Sequence, residues 1–161
     1  MHLMRGFTLI ELLVSLVILA LLTTAAAPMM QLTARRAKEQ ELRRALWQIR
    51  DAIDAYKQAS DEGRIAHSQE KSGYPPTLKA LTQGVENIKD PKHRKLVFLR
   101  QIPRDPFASD PDIVNEQTWR LRSYAGAFDE ASAEESDVED VYDVHSMDGG
   151  VGLNGRPYRE W

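Results

Sequence analysis

The sequence predicts an α+β fold in which a long N-terminal helix packs on a small antiparallel β-sheet. Three observations lead to this prediction. The chain of 161 residues opens with a long apolar run and continues with apolar residues at helical spacing. It then changes to short segments of alternating character that are separated by glycine and proline. Spacings of three and four residues indicate an amphipathic helix, and short alternating runs between turn residues indicate strands.

The apolar run begins after Glu11, and every residue from Leu12 to Pro28 is uncharged. About 18 or more apolar residues are enough to cross the hydrocarbon layer of a membrane as a helix. Glu11 lies inside the apolar segment, near its start. A carboxylate within a membrane is costly, so a chain that keeps one there usually provides a partner for its charge. The run therefore predicts a membrane-spanning helix that carries one functional acid.

The helical pattern continues from Gln31 to about Ser60 and becomes amphipathic. One apolar face is formed by Leu42, Ala45, Leu46, Ile49, Ile53 and Tyr56, and charged residues occupy the remainder. Because no glycine interrupts residues 7–60, we expect a single helix of about 80 Å at ~1.5 Å per residue. Pro28 is expected to kink or locally unwind this helix, and Asp61-Glu62-Gly63 to end it. Trp47 lies off the apolar face and is expected to contact either a neighbouring subunit or its own domain.

The rest of the chain predicts a small domain of short elements. Residues 61–77 are expected to form a loop, and Thr77 to cap a short helix. The cluster Leu96–Leu99 fits a strand and a helical turn equally well. The expected short elements are a helix at Leu78–Gln83 and strands at Trp119–Ala125, Val141–Ser146 and Tyr158–Trp161. Trp119 and Trp161 are expected in the core.

Composition and charge exclude several classes of function. The chain has no cysteine, so neither disulfides nor thiolate chemistry are available. Residues 61–161 carry thirteen Lys/Arg against nineteen Asp/Glu, and this acidic balance argues against a nucleic-acid partner. The four histidines lack the spacing of metal ligands, and no nucleophile, zinc or phosphate-loop motif occurs. The protein is therefore not expected to be an enzyme.

Gly6-Phe7-Thr8-Leu9-Ile10-Glu11-Leu12-Leu13-Val14 resembles the signal of type IV pilins and type II secretion pseudopilins. The resemblance implies that prepilin peptidase removes a leader, residues 1–6, by cutting between Gly6 and Phe7. It further implies that Phe7 is N-methylated and that Glu11 is required for assembly. Helix geometry allows a cationic amine on Phe7 to meet a carboxylate four residues later, within a chain or between neighbours. Pro28 also falls where this family places a helix-kinking proline.

The resemblance extends less strongly into the domain, toward the G-type, or major, pseudopilin. The similar segments are Gly73–Leu81, Ile102–Phe107 and Tyr142–Gly149, and the last leads into the family's glycine-rich calcium loop. Asn154-Gly155-Arg156 stands where that loop usually ends in paired aspartates, and 116–137 has no counterpart. The implied organisation is a leader at 1–6, a transmembrane part at 7–30, an amphipathic periplasmic part at 31–60 and a globular periplasmic domain at 61–161.

A calcium ion is the one cofactor that the sequence suggests. Calcium takes six to eight oxygens at about 2.4 Å, and Asp143, Asp148 and Asn154 are the predicted side-chain ligands around a glycine-rich turn. The alternative is a plain turn whose acids are solvated. Residues 150–155 also match the dinucleotide pattern G-x-G-x-x-G, but no helix or acid follows at the required distance. The acidic run 129–148 predicts a solvated loop, a surface that docks basic patches such as Arg35-Arg36 of a neighbour, or a contributor to a cation site.

These observations lead to a specific functional hypothesis. The resemblance implies a pseudopilin subunit of a short periplasmic filament, anchored in the bacterial inner membrane, of a type II protein secretion system. Its expected partners are copies of itself, other pseudopilins, prepilin peptidase, the inner-membrane assembly platform and membrane lipid. One alternative is a subunit of a type IV pilus, which the absence of a cysteine pair disfavours. The other is a secreted or anchored binding domain whose ordinary signal is cut at Ala25-Ala26-Ala27.

The basic residues near the apolar run conflict with a periplasmic position of the C-terminal domain. Arg35, Arg36 and Lys38 follow the span, whereas Arg5 and the amino terminus precede it. Lys and Arg normally mark the cytoplasmic flank of a span, which by itself places the domain in the cytoplasm. The pilin-like signal implies the opposite, because its peptidase acts at the cytoplasmic face. We therefore expect a periplasmic domain.

Overall fold

A computed structural model describes residues 7–66, 72–125 and 139–161, without the side chains of 25–28. The helices are α1 (Leu9–Asp61) and α2 (Leu78–Gln83). The strands are β1 (Val85–Glu86), β2 (Lys95–Leu96), β3 (Trp119–Arg122) and β4 (Asp143–Ser146), and 3₁₀ helices cover Asn115–Thr118 and Tyr158–Glu160. The chain divides into two compact units, Met1–Ala37 and Lys38–Trp161, and only the second contains strands within the described residues.

The α1 helix confirms the prediction of one long element, with 53 residues in α-helical conformation. Position 28 is included, so the helix is not unwound there. At the C-terminal end, the N–H of Gly63 donates to the carbonyl of Ser60 at 2.8 Å, and that of Arg64 to the carbonyl of Ala59 at 2.9 Å. Gly63 has a φ of +66°, and this combination is the Schellman motif that ends many helices. The predicted stop signal is confirmed.

The short helix α2 has the predicted bounds, but its N-terminus differs from the prediction. Thr77 occupies the N-cap position with extended backbone, yet its side chain makes no capping hydrogen bond. The carbonyl of Leu81 accepts the N–H groups of Phe98 and Leu99, both at 3.0 Å. The apolar cluster 96–99 therefore contains the last residue of β2 and continues as main chain that is hydrogen-bonded to α2.

The strands form two separate antiparallel pairs rather than one sheet. In the first pair, β1 lies beside β2 with Val85 opposite Leu96. In the second, β3 lies beside β4 with Leu121 opposite Val144. Both predicted strands at β3 and β4 are confirmed with shorter bounds.

The third predicted strand, Tyr158–Trp161, is wrong, because this segment forms a 3₁₀ helix. The N–H of Trp161 donates to the carbonyl of Tyr158 at 3.2 Å, which closes the turn. The Tyr158 ring stacks on Phe107 at 4.3 Å between centroids and meets the Trp161 ring edge-on at 5.1 Å. These aromatic contacts require both rings to turn toward the core, which alternating strand geometry does not allow.

The core of the second unit lies between the predicted apolar face of α1 and the strands. All six residues of that face are buried, and Ala52 and Ala59 extend it. From the other side, Trp119, Val141, Val144 and Tyr158 pack into the same cluster. Trp47 is 69 % exposed, which confirms that it lies off the apolar face. Burial of this face stabilises the domain by about 25 cal/mol for each Å² of apolar surface removed from water.

Candidate functional site

The first part of α1 presents an uncovered apolar surface. Its large apolar side chains from Leu9 to Leu22 are 50 to 83 % exposed. By length and composition the helix is able to cross a membrane, and it is the one such helix in the described part of the chain. An apolar surface of this extent marks contact with lipid or with other protein helices, because leaving it in water is unfavourable.

The hydroxyl groups on this surface are satisfied within the helix itself. Ser15 donates to the carbonyl of Glu11 at 2.6 Å, and Thr23 and Thr24 donate to the carbonyl of Ala20 at 2.9 and 2.8 Å. Internal bonding of this kind is what an apolar environment demands of polar groups. The Glu11 carboxylate is the exception, since it makes no hydrogen bond or ion pair within residues 7–66, 72–125 and 139–161. It is therefore available to a partner from outside.

The predicted processing site is only partly within the described residues. Gly6 lies outside them, and Phe7 is 80 % exposed. The helix begins at Leu9, and the hydroxyl oxygen of Thr8 accepts the N–H of Glu11 at 3.4 Å. Phe7 thus precedes the helix, and the pairing of its amine with Glu11, which requires cleavage, stays a prediction. Cleavage and methylation stay predictions.

In the second unit, α1 holds the C-terminal segment (residues 143–161) through a buried acid. Glu39 is 6 % exposed, and its Oε1 accepts the N–H of Leu153 at 2.8 Å and the hydroxyl of Tyr158 at 3.0 Å. Hydrogen bonds to an ionised acceptor are about twice as strong as those between neutral groups. Glu39 therefore fixes the glycine-rich turn and the 3₁₀ helix to the same point of α1.

Two arginines further along α1 complete this attachment. The Arg43 guanidinium lies 4.5 Å from the ring centroid of Trp161. The Arg50 guanidinium donates to Oδ1 of Asp143 at 2.7 Å, to the carbonyl of Val144 at 3.1 Å and to the main-chain oxygen of Trp161 at 2.6 Å. Side chains four and seven residues apart share one face of a helix, so Glu39, Arg43 and Arg50 act on the same segment.

The structure does not join the three predicted calcium ligands in one site. Asp143 begins β4, and its two carboxylate oxygens pair with Arg50 at 2.7 Å and with Arg122 at 3.4 Å. Oδ1 of Asp148 accepts the N–H of Gly150 at 2.7 Å, and Oδ1 of Asn154 accepts that of Arg156 at 3.0 Å. The described residues contain no group of three or more His, Cys, Asp or Glu suited to a metal. In this arrangement the three residues share no site for the predicted ion, and calcium binding by the protein stays a prediction.

Two further acids of the second unit serve its structure. Asp105 is 1 % exposed and accepts the hydroxyl of Ser146 at 2.5 Å, and burial raises the pKa of its carboxyl. Burial also acts to raise the pKa of Asp140, but hydrogen bonds from Ser72, Ser123 and the Tyr124 N–H outweigh it and lower that pKa. Asp140 and Asp143 both bind partners within their own domain. Neither carboxylate is therefore free to take part in the docking surface predicted for the acidic run. Residues 129–138 of the acidic run lie outside the described residues.

Comparison with known proteins connects these features to a family. Residues 1–27 match the family described as the prokaryotic N-terminal methylation motif. The chain is 30 % identical to the type II secretion system core protein G of Pectobacterium carotovorum subsp. carotovorum over 115 residues, which are 69 % of this chain and 67 % of that protein. The chain belongs to the type II secretion system core protein G family. Its relatives in Klebsiella pneumoniae and Escherichia coli (strain K12) bear the same name and are 28 % and 27 % identical over 69 % of this chain and 74 % and 72 % of theirs.

The chain is thus a pseudopilin subunit, and the alternative of a type IV pilus pilin is not favoured. No solved structure matches it. Membership of this family implies a structural rather than an enzymatic role in a pseudopilus of several subunits. The apolar N-terminal helix is its membrane anchor.

Sequence reasoning missed Glu39 and Arg50 as residues of the pseudopilin domain that hold the C-terminal segment. The sequence did contain a sign of the role of Glu39. It precedes Leu42 by three residues, so helical spacing places an acid on the apolar face. Arg50 follows Leu46 by four residues and lies at the border of that face. Neither position indicates which distant residues the side chain contacts, since the partners are 93 to 119 residues away.

Proposed function

We propose that this pseudopilin is cut between Gly6 and Phe7 by prepilin peptidase, N-methylated at Phe7 and added to a short filament on the periplasmic side of the inner membrane. The filament contains copies of this chain and other pseudopilins, and the inner-membrane assembly platform adds each subunit. The relatives are named type II secretion system core protein G, and this name supports the assignment of the filament to a type II secretion system.

The observation that carries the proposal is the free carboxylate of Glu11 on an otherwise satisfied apolar surface. Ser15, Thr23 and Thr24 bond to carbonyls of their own helix, whereas Glu11 has no partner among residues 7–66, 72–125 and 139–161. Cleavage before Phe7 creates a cationic amine at the start of the same segment. When helices pack side by side, the amine of one subunit neutralises Glu11 of another, and loss of either partner strands a buried charge.

The variant Glu11→Gln tests this assignment, because it removes the charge and keeps the shape of the side chain. We expect normal processing and membrane insertion, since a neutral side chain enters lipid more easily than an acid. Filament yield should fall by at least about tenfold, because a stranded ion costs several kcal/mol and 1.4 kcal/mol is a factor of ten. Sheared filaments are measured by sedimentation and immunoblot, and processing by intact mass.

Ser15→Ala is the matched control for this experiment. It removes a polar group one turn away that bonds only to a carbonyl of its own helix, so assembly should equal that of the unaltered chain. Filament yield from Glu11→Gln equal to that from Ser15→Ala contradicts the role of the charge in assembly. A mature mass that begins at Met1 or Pro28 contradicts the processing step itself.

The periplasmic orientation is tested with a single cysteine, which is unique because the chain has none. Lys92 is exposed in the turn between β1 and β2, so Lys92→Cys places a thiol on the surface of the domain. A membrane-impermeant maleimide should label it in intact spheroplasts as fully as in lysed cells. Labelling only after lysis would place the domain in the cytoplasm, as the basic residues after the span indicate by themselves.

A further inference from the structure

Arg50 occupies a position where oxygen atoms from three parts of the C-terminal segment converge. Its Nε donates to Oδ1 of Asp143, and its Nη2 donates to the main-chain oxygens of Val144 and Trp161. The three acceptors come from the start of β4, from within β4 and from the residue that follows the last 3₁₀ helix. Carboxylate and main-chain oxygens around a positive charge are the oxygen types that a bound cation attracts.

A planar guanidinium suits these acceptors better than a metal ion does. Arginine presents five N–H donors in a fixed fork, so one side chain can serve several acceptors at once. The second carboxylate oxygen of Asp143 pairs with Arg122 at 3.4 Å, so both oxygens are already bound to positive charge. Asp148 and Asn154 use their Oδ1 atoms to accept main-chain N–H groups of the turn.

We propose that Arg50 is the internal cation of the C-terminal segment, and that it makes the folding of this domain independent of calcium. The positive charge belongs to α1 and is therefore present in every copy of the chain, whatever the ion concentration. The segment that the family resemblance assigns to calcium is held instead by one helix face, with Glu39 on the glycine-rich turn and Arg50 on β4 and Trp161. This inference concerns the domain alone and does not depend on the proposed processing or assembly.

Thermal unfolding of the full chain in detergent, followed by tryptophan fluorescence, tests the proposal. The unaltered protein should melt at the same temperature in calcium chloride and in chelator. Arg50→Met, which keeps most of the side-chain length and removes the charge, should melt at least about 5 °C lower in both solutions. Arg44→Met is the matched control, because Arg44 is exposed on the same helix and, among the residues that the structure describes, donates only to the carbonyl of Gln40. It should melt like the unaltered protein.

A second variant separates the charge of Arg50 from its packing. Arg50→Lys keeps a cation but lacks the fork, so it should melt between Arg50→Met and the unaltered protein. If Arg50→Met does not fold, Arg50→Lys and Asp143→Asn still report on the pair, and both should lower the melting temperature in calcium and in chelator alike. Equal melting of Arg50→Lys and Arg50→Met would show that a positive charge at this position does not stabilise the segment, and would overturn the proposal that Arg50 acts as its cation.

Hydrogen exchange provides a local measurement that general destabilisation does not reproduce. In Arg50→Met the amides of residues 142–146 and 158–161 should exchange faster, whereas those of Phe98 and Leu99, bonded to the carbonyl of Leu81, should not change. Three results would overturn the proposal: a uniform rise in exchange, an Arg50→Met protein that melts like Arg44→Met, and a melting temperature of the unaltered protein that is several degrees higher in calcium than in chelator.

Discussion

The substitution Glu39→Ala is expected to loosen the glycine-rich turn and the last 3₁₀ helix from α1 at once. Glu39 is 6 % exposed and accepts hydrogen bonds from the Leu153 N–H and from the Tyr158 hydroxyl. Alanine removes the acceptor and leaves both donors behind. A buried donor without a partner has lost its bond to water as well, so the penalty exceeds the net value of the bond itself.

The size of the effect follows from the surroundings of the two donors. Tyr158 is 2 % exposed, so its hydroxyl is left in a dry core and the cost lies near the upper end of ~1.5–3 kcal/mol for a bond to a charged group. Leu153 is 43 % exposed, so water reaches its N–H more easily and the cost lies near the lower end. Together they give about 4 kcal/mol. At roughly 4 °C per kcal/mol for a domain of this size, the melting temperature should fall by about 15 °C.

Near-UV circular dichroism of the full chain in detergent, followed with temperature, measures this shift. Glu41→Ala is the matched control, because Glu41 is exposed two residues further along the same helix. Tyr158→Phe removes the donor with the larger share and keeps the ring stacked on Phe107, so its effect should be somewhat more than half of that of Glu39→Ala. A double-mutant cycle of Glu39→Gln and Tyr158→Phe should show positive coupling. A melting temperature of Glu39→Ala equal to that of Glu41→Ala would refute this reasoning.

Two further predictions concern pH and a helix terminus. Burial lowers the pKa of His145. Asp143 raises this pKa by less than burial lowers it, and nearby arginines lower it further. The unfolded chain therefore binds more protons, and the free energy of unfolding should fall as the pH drops through about 6.5. The difference between the denaturant midpoints at pH 7.5 and at pH 5.5 should be smaller in His145→Gln than in the unaltered protein. The same difference in both proteins would contradict this prediction. At Gly63, φ is +66° and an added Cβ meets no atom closer than 3.8 Å, so Gly63→Ala should cost about 1 kcal/mol by the same assay. Gly84→Ala should cost more, because its Cβ would lie 2.9 Å from Val97 Cγ2.

Local features of the fold were predictable wherever neighbours in sequence determine them. The apolar face through Leu42, Ile49 and Ile53 follows from helical spacing, and the end of α1 follows from Gly63. The position of Glu11 on the apolar helix was predictable for the same reason, since its surroundings are its own helix. The bounds of β4 were shorter than expected because strand length depends on the partner strand, and β3 has only four residues.

Features fixed by distant residues were not predictable from one sequence. The segment after Pro157 was predicted as a strand, but its shape is set by the Phe107 ring, which lies 51 residues earlier than Tyr158 and stacks on it. Asp143 was predicted as a calcium ligand because it precedes a glycine-rich turn. Its actual neighbours are arginines 93 residues before it on α1 and directly across the strand pair on β3.

The attachment of the C-terminal segment to α1 also determines when the domain can finish folding during synthesis. The hydrogen bonds of Glu39 can form only after residues 153 and 158 have been synthesised. Those of Arg50 need residues 143, 144 and 161. Closing contacts across about a hundred residues is slow compared with forming a helix, because the ends of a long loop must first meet. The apolar face of α1 is therefore not fully covered until residues 143–161 emerge. A ribosome stalled before them leaves a membrane-anchored helix whose second half exposes Leu42, Leu46 and Ile49, a surface that chaperones and proteases recognise in unfinished chains.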